Sequence, residues 1–306
     1  MINLFNIENY NINTSKLDSF VHGSVVTEFE NNFKKNVGAK YACSLNSATS
    51  IIFLSLLNKN VEVTIPSIMF SGVANAILAS GNKIKFNDNT NWVGNSYILH
   101  EFNDYKIIDS AQKVERNQFK KECNLKDLMI FSFYPTKPVG GCDGGMVVSN
   151  DIEKIKWFKE ISCNGMSYIK NSWDSEINSI GYKMYMNSIQ AYIANENLKK
   201  LNIKKRKLKL IRDIYNEELG YSNNSEYLYR IEVINNREFI EKMKYNKILC
   251  GIHYSALHLN SIYSNNNTLD YSKSKIVSKK TVSIPFNEKL TESEINFIID
   301  KVRQYG

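Results

Sequence analysis

The 306-residue sequence predicts an α/β fold with a large domain, built on a mixed, mostly parallel sheet flanked by helices, and a smaller C-terminal α+β domain. Two observations support this prediction. Short strand-like runs alternate with helical periodicities between residues 25 and 149, and the pattern changes after about Leu201. We therefore place the large domain at residues 1–200 and the small domain at residues 201–306, a division that the chain length allows.

The large domain opens with a helix in which Val25, Phe29 and Phe33 recur at helical spacing. Gly38 follows, and glycine tolerates the left-handed conformation that closes many helices. A second helix is predicted over Ile51–Leu57. Short apolar runs around these helices are predicted to be strands. They are Tyr41–Leu45, Val61–Ile65, Lys83–Phe86, Lys106–Asp109, Leu128–Phe133 and Gly145–Ser149.

The small domain begins with a long charged helix, predicted over Ile203–Leu219. Strands are expected near Tyr227 and Ile248, with a helix between them. The last helix opens with Thr291 and Glu294, which have the spacing of a capping box. This succession of elements indicates an α+β unit.

Composition excludes several classes of partner. The net charge of +8 is spread along the chain, and the run KKRKLK at Lys204–Lys209 predicts a solvated helix face, not a nucleic-acid site. Because no apolar run could cross a bilayer and the first residues lack a secretory pattern, we expect a cytoplasmic protein without a membrane partner. Scattered cysteines without a CxxC pair predict reduced thiols and no zinc site. They are Cys43, Cys123, Cys142, Cys163 and Cys250.

Four local patterns are candidates for chemistry. Lys137 lies between a strand end and a glycine-rich turn, where desolvation can make an amine a nucleophile for an aldehyde; an ordinary loop lysine is the alternative. Asp109 ends a strand, where a buried carboxylate could hold the pyridine nitrogen of a cofactor protonated. Asn46–Ser50 joins a strand to a helix and predicts either a phosphate site or a plain helix cap. Phe70 offers a flat surface to an aromatic ring or belongs to the core.

Together these segments resemble the DegT/DnrJ/StrS family of sugar aminotransferases, which have the aspartate aminotransferase fold type I. A match to one motif is common by chance, whereas eight motifs in the family's order are specific. The matching segments are SVVTEFENNF, SLNSATS, VTIPSIMFSGVANAIL, IIDSAQ, FSFYPTKPVGGCDGGMVVSND, CNGMS, GYKMYMNSIQAYIANENLKKL and IHYSALHLNSIY.

The resemblance implies that pyridoxal 5'-phosphate is the cofactor and that Lys137 forms the Schiff base with it and shuttles protons. It implies that Asp109 pairs with the pyridinium nitrogen, Gln112 approaches the phenolic edge of the ring and Phe70 stacks on its face. One subgroup of the family has histidine at the lysine position and catalyses dehydration, so Lys137 indicates transamination. Further positions carry over as phosphate ligands or, more weakly, as substrate contacts. They are Ala48, Thr49 and Ser132 for the phosphate, and His22, Gly23, His253 and His258 for the substrate.

The sequence departs from the family in two places. Lys183 stands where an asparagine usually reaches the cofactor phosphate of the neighbouring subunit, and Tyr185 replaces a usual arginine. We expect a homodimer with shared active sites, in which Lys183 makes the phosphate contact as a point charge. The second departure is a deletion before Asp109, where the usual helix is absent and only Phe102–Tyr105 separates two strand-like runs. This link is too short for a parallel crossover, so the two strands either pair antiparallel or lie in different sheets.

The predicted function is transfer of an amino group from an amino acid, expected to be glutamate, to a nucleotide-linked keto-sugar, whose charge suits a basic protein. The deletion before Asp109 motivates an alternative, a catalytically degenerate member that binds pyridoxal phosphate or a sugar nucleotide in a regulatory or scaffolding role. A third interpretation is a lyase or desulfurase of the same fold, for which Cys142 is the nearest thiol in sequence to Lys137.

Overall fold

The computed structural model describes residues 1–7, 10, 12–168, 174–263 and 270–306. Helices and strands alternate through the first half of the chain. The helices are α1 (Ser24–Val37), α2 (Ala48–Leu56), α3 (Ser71–Ala79), α4 (Gln118–Glu122), α5 (Ile152–Ile161), α6 (Ser188–Leu219), α7 (Asn236–Tyr245), α8 (Ser272–Lys280) and α9 (Glu292–Tyr305). The strands are β1 (Tyr41–Leu45), β2 (Glu62–Pro66), β3 (Lys83–Asn87), β4 (Tyr97–Glu101), β5 (Lys106–Asp109), β6 (Leu128–Ser132), β7 (Gly145–Ser149), β8 (Met166–Tyr168), β9 (Ser175–Ile177), β10 (Tyr229–Glu232) and β11 (Thr281–Ile284).

The central sheet has the strand order β1-β7-β6-β5-β4. The strands β1, β6 and β5 run in one direction, because β7 is antiparallel to both β1 and β6 while β5 and β6 are parallel. The strands β2 and β3 form a separate parallel pair that lies beside β4. The predicted α/β fold with a mixed sheet flanked by helices is therefore confirmed, with three of the five strands of the central sheet running in the same direction. All six predicted strands of this half agree with the structure to within one residue.

Side chains alternate between the two faces of the central sheet, and helices cover both faces. On one face, Phe29 and Phe33 of α1 pack edge-on against Phe133 and Phe131, with ring centroids 4.9 Å apart in each pair. The other face packs against α2, α3 and α5. The helix α1 ends as predicted at Gly38, which adopts a left-handed conformation with φ of 79°.

The deletion before Asp109 produces a hairpin. The strands β4 and β5 pair antiparallel, and the backbone N–H of Phe102 donates to the carbonyl oxygen of Tyr105 at 2.8 Å to close the turn. Antiparallel pairing, one of the two expected outcomes, is confirmed. In this arrangement β4 occupies the edge of the central sheet next to β5, and β5 ends at Asp109.

The structure differs from the prediction in two places, at the start of α6 and just after α7. The helix α6 begins at Ser188 and not at Ile203, because Asn187 and Gln190 form a capping box there. The strand expected near Ile248 is wrong: Ile248 makes only an isolated bridge with Ile2. Its backbone N–H donates to the carbonyl oxygen of Met243 at 2.9 Å and closes the end of α7, which leaves no extended run.

The antiparallel partner of β10 is β11, which the sequence analysis did not identify. The predicted capping box of Thr291 and Glu294 at the start of α9 is confirmed. The helix α6 passes through the proposed domain boundary: Leu201 packs in the core beneath α1, whereas Leu208 packs with β10, β11 and α9. The division at residues 200 and 201 remains our proposal.

In the described part of the chain, none of the helices is both long enough and apolar enough to cross a bilayer. The five cysteines are free thiols.

Candidate active site

A cavity of about 580 Å³ lies at the carboxyl ends of β5 and β6 and at the start of α2. Most of the residues that the sequence analysis singled out line it. They are Ala48, Thr49, Phe70, Asp109, Gln112, Ser132, Lys137 and His253. These predicted residues lie up to 205 positions apart in the chain, from Ala48 to His253.

Asp109 is a buried carboxylate with a donor on each oxygen. Its Oδ1 accepts the backbone N–H of Ala111 at 2.8 Å, and its Oδ2 accepts the hydroxyl of Tyr97 at 3.0 Å. Burial raises the pKa of Asp109, while these two hydrogen bonds and the positive charge of Lys137 act to lower it. A cation that entered the cavity beside Asp109 would further favour the ionised form.

Lys137 lies in a tight turn that follows β6. Its backbone N–H donates to the carbonyl oxygen of Tyr134 at 2.8 Å, and its Nζ lies 4.7 Å from the ring centroid of Tyr227. A Cβ atom at Gly140 would lie 2.3 Å from the carbonyl oxygen of Pro135, so the turn requires glycine there. From behind, Nζ of Lys204 donates to the carbonyl oxygens of Lys137 and Pro138, each at 3.3 Å.

The start of α2 has the geometry of an anion site. Ser47 caps the helix, and its hydroxyl accepts the backbone N–H of Ser50 at 3.0 Å. The N–H groups of Ala48 and Thr49 belong to the first helical turn and have no partner within the helix. A Cβ atom at Gly145 would lie 2.5 Å from the backbone nitrogen of Ala48, so glycine lets β7 pack directly against this turn.

Aromatic side chains form the remaining wall. Phe70 is 53% exposed and its ring centroid lies 6.4 Å from that of Tyr254. Trp92 stacks nearly parallel to Tyr254, at 6.1 Å and 4°. Gln112 is buried: its Nε2 donates to the hydroxyl of Tyr254 at 3.0 Å, and its Oε1 accepts the backbone N–H of Gly94 at 2.7 Å.

His253 lines the cavity as a neutral imidazole at neutral pH. Burial, together with the charges of Lys137 and Arg230, lowers its pKa to about 4. Its Nδ1 lies 3.0 Å from the hydroxyl oxygen of Ser283, and its ring meets that of Phe5 edge-on at 5.8 Å. This histidine therefore contributes a polar but uncharged edge to the cavity.

Four predicted site residues do not line this cavity. Lys183 is exposed and forms an isolated antiparallel bridge with Cys163. His22 packs against Tyr185 with ring centroids 4.4 Å apart, and Gly23 caps α1. His258 faces away, with Nδ1 hydrogen-bonded to Ser67 Oγ.

The sequence analysis missed several lining residues: Phe5, Trp92, Asp143, Tyr227 and Tyr254. Tyr254 adjoins His253 in the segment IHYSALH, so that motif carried a signal for it. Asp143 lies in the segment FSFYPTKPVGGCDGGMVVSND, whereas Phe5, Trp92 and Tyr227 lie outside any motif that we used.

The donor set fits pyridoxal phosphate. Asp109 is a buried acceptor for a protonated ring nitrogen, Lys137 is an amine for the aldehyde, and the first turn of α2 offers N–H groups for the phosphate. A metal site has no comparable support, since no group of three or more His, Cys, Asp or Glu residues with suitable geometry occurs among the described residues.

Comparisons with known proteins agree with this site. The model of the DegT/DnrJ/EryC1/StrS aminotransferase family matches residues 6–95 and 105–303. The UDP-4-amino-4,6-dideoxy-N-acetyl-beta-L-altrosamine transaminase of Campylobacter jejuni is 27% identical over an alignment of 335 positions, gaps included, that covers 91% of this chain and 89% of that protein.

Solved structures share the fold. The aminotransferase TlmJ of Streptoalloteichus hindustanus superposes with a TM-score of 0.83 at 20% identity, over 99% of this chain and 98% of that one. The Helicobacter pylori aminotransferase PseC superposes with a TM-score of 0.79 at 20% identity, over 98% of each chain. Because the family model spans nearly the whole sequence, this chain belongs to the DegT/DnrJ/EryC1/StrS aminotransferase family, whose aminotransferases depend on pyridoxal phosphate.

Proposed function

We propose that this protein is a pyridoxal-phosphate-dependent aminotransferase that moves an amino group from an amino acid, expected to be glutamate, to a keto-sugar carried on a nucleoside diphosphate. The observation that carries the proposal is the convergence of Lys137, Asp109 and the first turn of α2 on one cavity. The similarity to a UDP-sugar transaminase and the net charge of +8 support an anionic sugar nucleotide as the acceptor.

Different residues of this chain would bind the cofactor and transfer the proton. When bound, pyridoxal phosphate supplies an electron sink for the negative charge that develops on the substrate carbon. Lys137 would hold the aldehyde carbon and later carry a proton on Nζ to and from the substrate carbon. Asp109 would accept the proton-bearing ring nitrogen, and the N–H groups of Ala48 and Thr49, with the hydroxyl of Ser132, would bind the phosphate.

The remaining lining residues orient the ring and shape the space for substrate. Gln112 would approach the phenolic edge, and Phe70 would cover one face of the ring. His253 lines the cavity and is the predicted substrate contact that the geometry supports best. His22, Gly23 and His258 do not line the cavity of their own chain, and their contact with substrate stays a prediction.

The alternatives have less support. At the deletion, β4 and β5 form a hairpin, and Asp109 at its end is buried and accepts two hydrogen bonds. This intact surrounding of Asp109 favours an active enzyme over a degenerate member. A desulfurase needs a thiol at the reacting centre. Cys142 is exposed, and no cysteine lines the cavity in the ranges that the structure describes.

The proposal is tested by following the two half-reactions separately. The protein with pyridoxal phosphate is reduced with borohydride, and peptide mass analysis should place the label on Lys137. A panel of amino acids should then convert the visible absorbance to that of the pyridoxamine form, and UDP- or GDP-linked keto-sugars should reverse the change. Labelled protein that is inert toward every amino donor would favour the degenerate member instead.

Lys183 provides a test of the shared active site. We expect a homodimer in which Lys183 reaches the cofactor phosphate of the other subunit, because Lys183 does not line the cavity of its own chain. Lys183→Ala should weaken cofactor retention by about tenfold, the size of one charge-assisted hydrogen bond, with a smaller effect on kcat at saturating cofactor.

A matched control is Lys156→Ala, since Lys156 is an exposed lysine of α5 that pairs with Glu153 of the same helix. The measurement is the dissociation constant of pyridoxal phosphate, with sedimentation velocity to establish the dimer. Unchanged cofactor affinity in Lys183→Ala, or a monomer with full activity, would remove the cross-subunit contact.

A further inference from the structure

The segment 96–104 is the part of the site region that the family model does not match. It contains β4 and the turn of the hairpin that replaces the expected helix before Asp109. A contact between this segment and the active site is one that the family model does not describe. The segment contacts Asp109 through the hydroxyl of Tyr97.

The register of the hairpin brings these two residues together. Tyr97 pairs directly with Asp109 across the ladder, and Glu101 pairs with Lys106 at the other end. Counting back from Glu101 without interruption would place Ile98 opposite Asp109. The register shifts between Ile98 and His100, so a bulge with one extra residue moves Tyr97 into the position opposite the carboxylate.

The Tyr97 side chain is then held by packing. Its ring centroid lies 4.9 Å from that of Trp92, and the indole nitrogen of Trp92 donates to the carbonyl oxygen of Ile68 at 2.8 Å. The Tyr97 hydroxyl has a single proton and two acceptors in reach, Oδ2 of Asp109 at 3.0 Å and Sδ of Met69 at 3.7 Å. An ionised carboxylate is a much stronger acceptor than a thioether, so the proton points to Asp109.

We propose that Tyr97 is a positioning residue of this enzyme: its hydroxyl holds the Asp109 carboxylate oriented toward the ring nitrogen of the cofactor. The proposal rests on the function proposed above. Tyr97 does not line the cavity and acts only through Asp109.

The charged and polar groups around Asp109 determine how the hydrogen bond from Tyr97 changes the pKa of Asp109. The titratable groups that act on the carboxylate are Tyr97, Lys137 and Tyr254. Burial raises the pKa of Asp109, and the donors from Tyr97 and Ala111 oppose that rise. Loss of the Tyr97 hydroxyl therefore raises the pKa of Asp109 further and weakens its hold on a cationic ring.

The test compares Tyr97→Phe with Tyr105→Phe, which removes a hydroxyl from the same hairpin. The Tyr105 ring packs against Phe102 at 4.7 Å and does not line the cavity. We expect Tyr97→Phe to weaken pyridoxal phosphate binding by about tenfold, as for one hydrogen bond to a charged group. In the pH–rate profile of the half-reaction with the amino donor, the acid limb should move to higher pH in Tyr97→Phe. Tyr105→Phe should match the wild type in both cofactor affinity and pH–rate profile.

Urea unfolding of the cofactor-free proteins gives a readout that does not depend on turnover. At neutral pH, Tyr97→Phe should have a lower free energy of unfolding than the wild type, because the ionised Asp109 has lost a hydrogen-bond donor. This difference should shrink in acid, where Asp109 is protonated and no longer needs the donor. A loss that is independent of pH, or equal in Tyr105→Phe, would overturn the positioning role.

Failure of this inference is distinguishable from failure of the proposed function. Suppose that the wild-type protein carries the borohydride label on Lys137 and turns over, but that the acid limb of the pH–rate profile is unshifted in Tyr97→Phe. This result would contradict only the role of Tyr97. Wild-type protein that never carries the label on Lys137 would remove both.

Discussion

Lys137→Ala is expected to lower kcat by at least about 10⁴-fold, the upper range of what one acid–base group contributes, because this substitution removes both the attachment point and the proton carrier. No other lysine lines the cavity within the ranges that the structure describes. Lys204 approaches the carbonyl oxygens of Lys137 and Pro138 from behind the turn, and it does not line the cavity. Steady-state turnover, the visible absorbance and the borohydride label measure the effect.

Lys137→Arg separates the charge of Lys137 from its nucleophilic amine. The positive charge of Lys137 lowers the pKa of Asp109, and arginine keeps that charge while it cannot form the cofactor linkage. Lys137→Arg should therefore be as inactive as Lys137→Ala. Only Lys137→Ala should recover part of its activity when a small primary amine is added, because the vacated space can admit it. Full activity in either variant without added amine would contradict the assigned mechanism.

Asp109→Asn is expected to lower kcat by about 10²–10³-fold, the range observed when one preorganised electrostatic group is removed from an active site. Asparagine has nearly the same shape, and its Oδ1 can still accept the backbone N–H of Ala111. It cannot carry the negative charge that keeps a ring nitrogen protonated. Transient kinetics of the donor half-reaction measure this loss.

The same substitution should not destabilise the cofactor-free protein at neutral pH. Because the folded-state pKa of Asp109 is raised above its unfolded value, the ionised carboxylate costs stability at neutral pH, and this cost disappears as pH falls below the unfolded value. Asp109→Asn removes the cost, so its stability relative to the wild type should be greatest at neutral pH and smallest in acid. Activity and stability should thus change in opposite directions.

Asp127→Asn is a matched control for a buried carboxylate outside the cavity. Asp127 accepts the backbone N–H groups of Lys106 at 2.8 Å and Asn124 at 2.7 Å, and it is 1% exposed. Its replacement should lower the free energy of unfolding by about 1–3 kcal/mol and leave kcat nearly unchanged. Equal losses of kcat in the two variants would mean that Asp109 acts only through stability.

The residues with local signals were predictable. Asp109 ends a strand, Lys137 lies in the turn that follows one, and Thr49 lies in the first turn after a capping serine. These signals are contained within a few residues of sequence, because strand alternation, helix caps and glycine turns are local properties. The strand content of the large domain was predictable for the same reason.

The short link of Phe102–Tyr105 was equally informative, since chain length alone forbids a parallel crossover. It reduced the possibilities to an antiparallel hairpin or a strand outside the sheet. It did not identify the residue that would face Asp109, because a bulge changes the register by one residue and so changes which side chain lies opposite.

By itself, then, the sequence determined the alternation of elements, the catalytic lysine candidate and the acid and phosphate-binding candidates that accompany it. Only the tertiary structure decided that the hydroxyl of Tyr97 donates to Asp109, that Trp92, Tyr227 and Tyr254 line the cavity, and that β11 pairs with β10. Those outcomes depend on contacts between residues far apart in the chain, and such contacts are set by packing and register, which local periodicity does not encode.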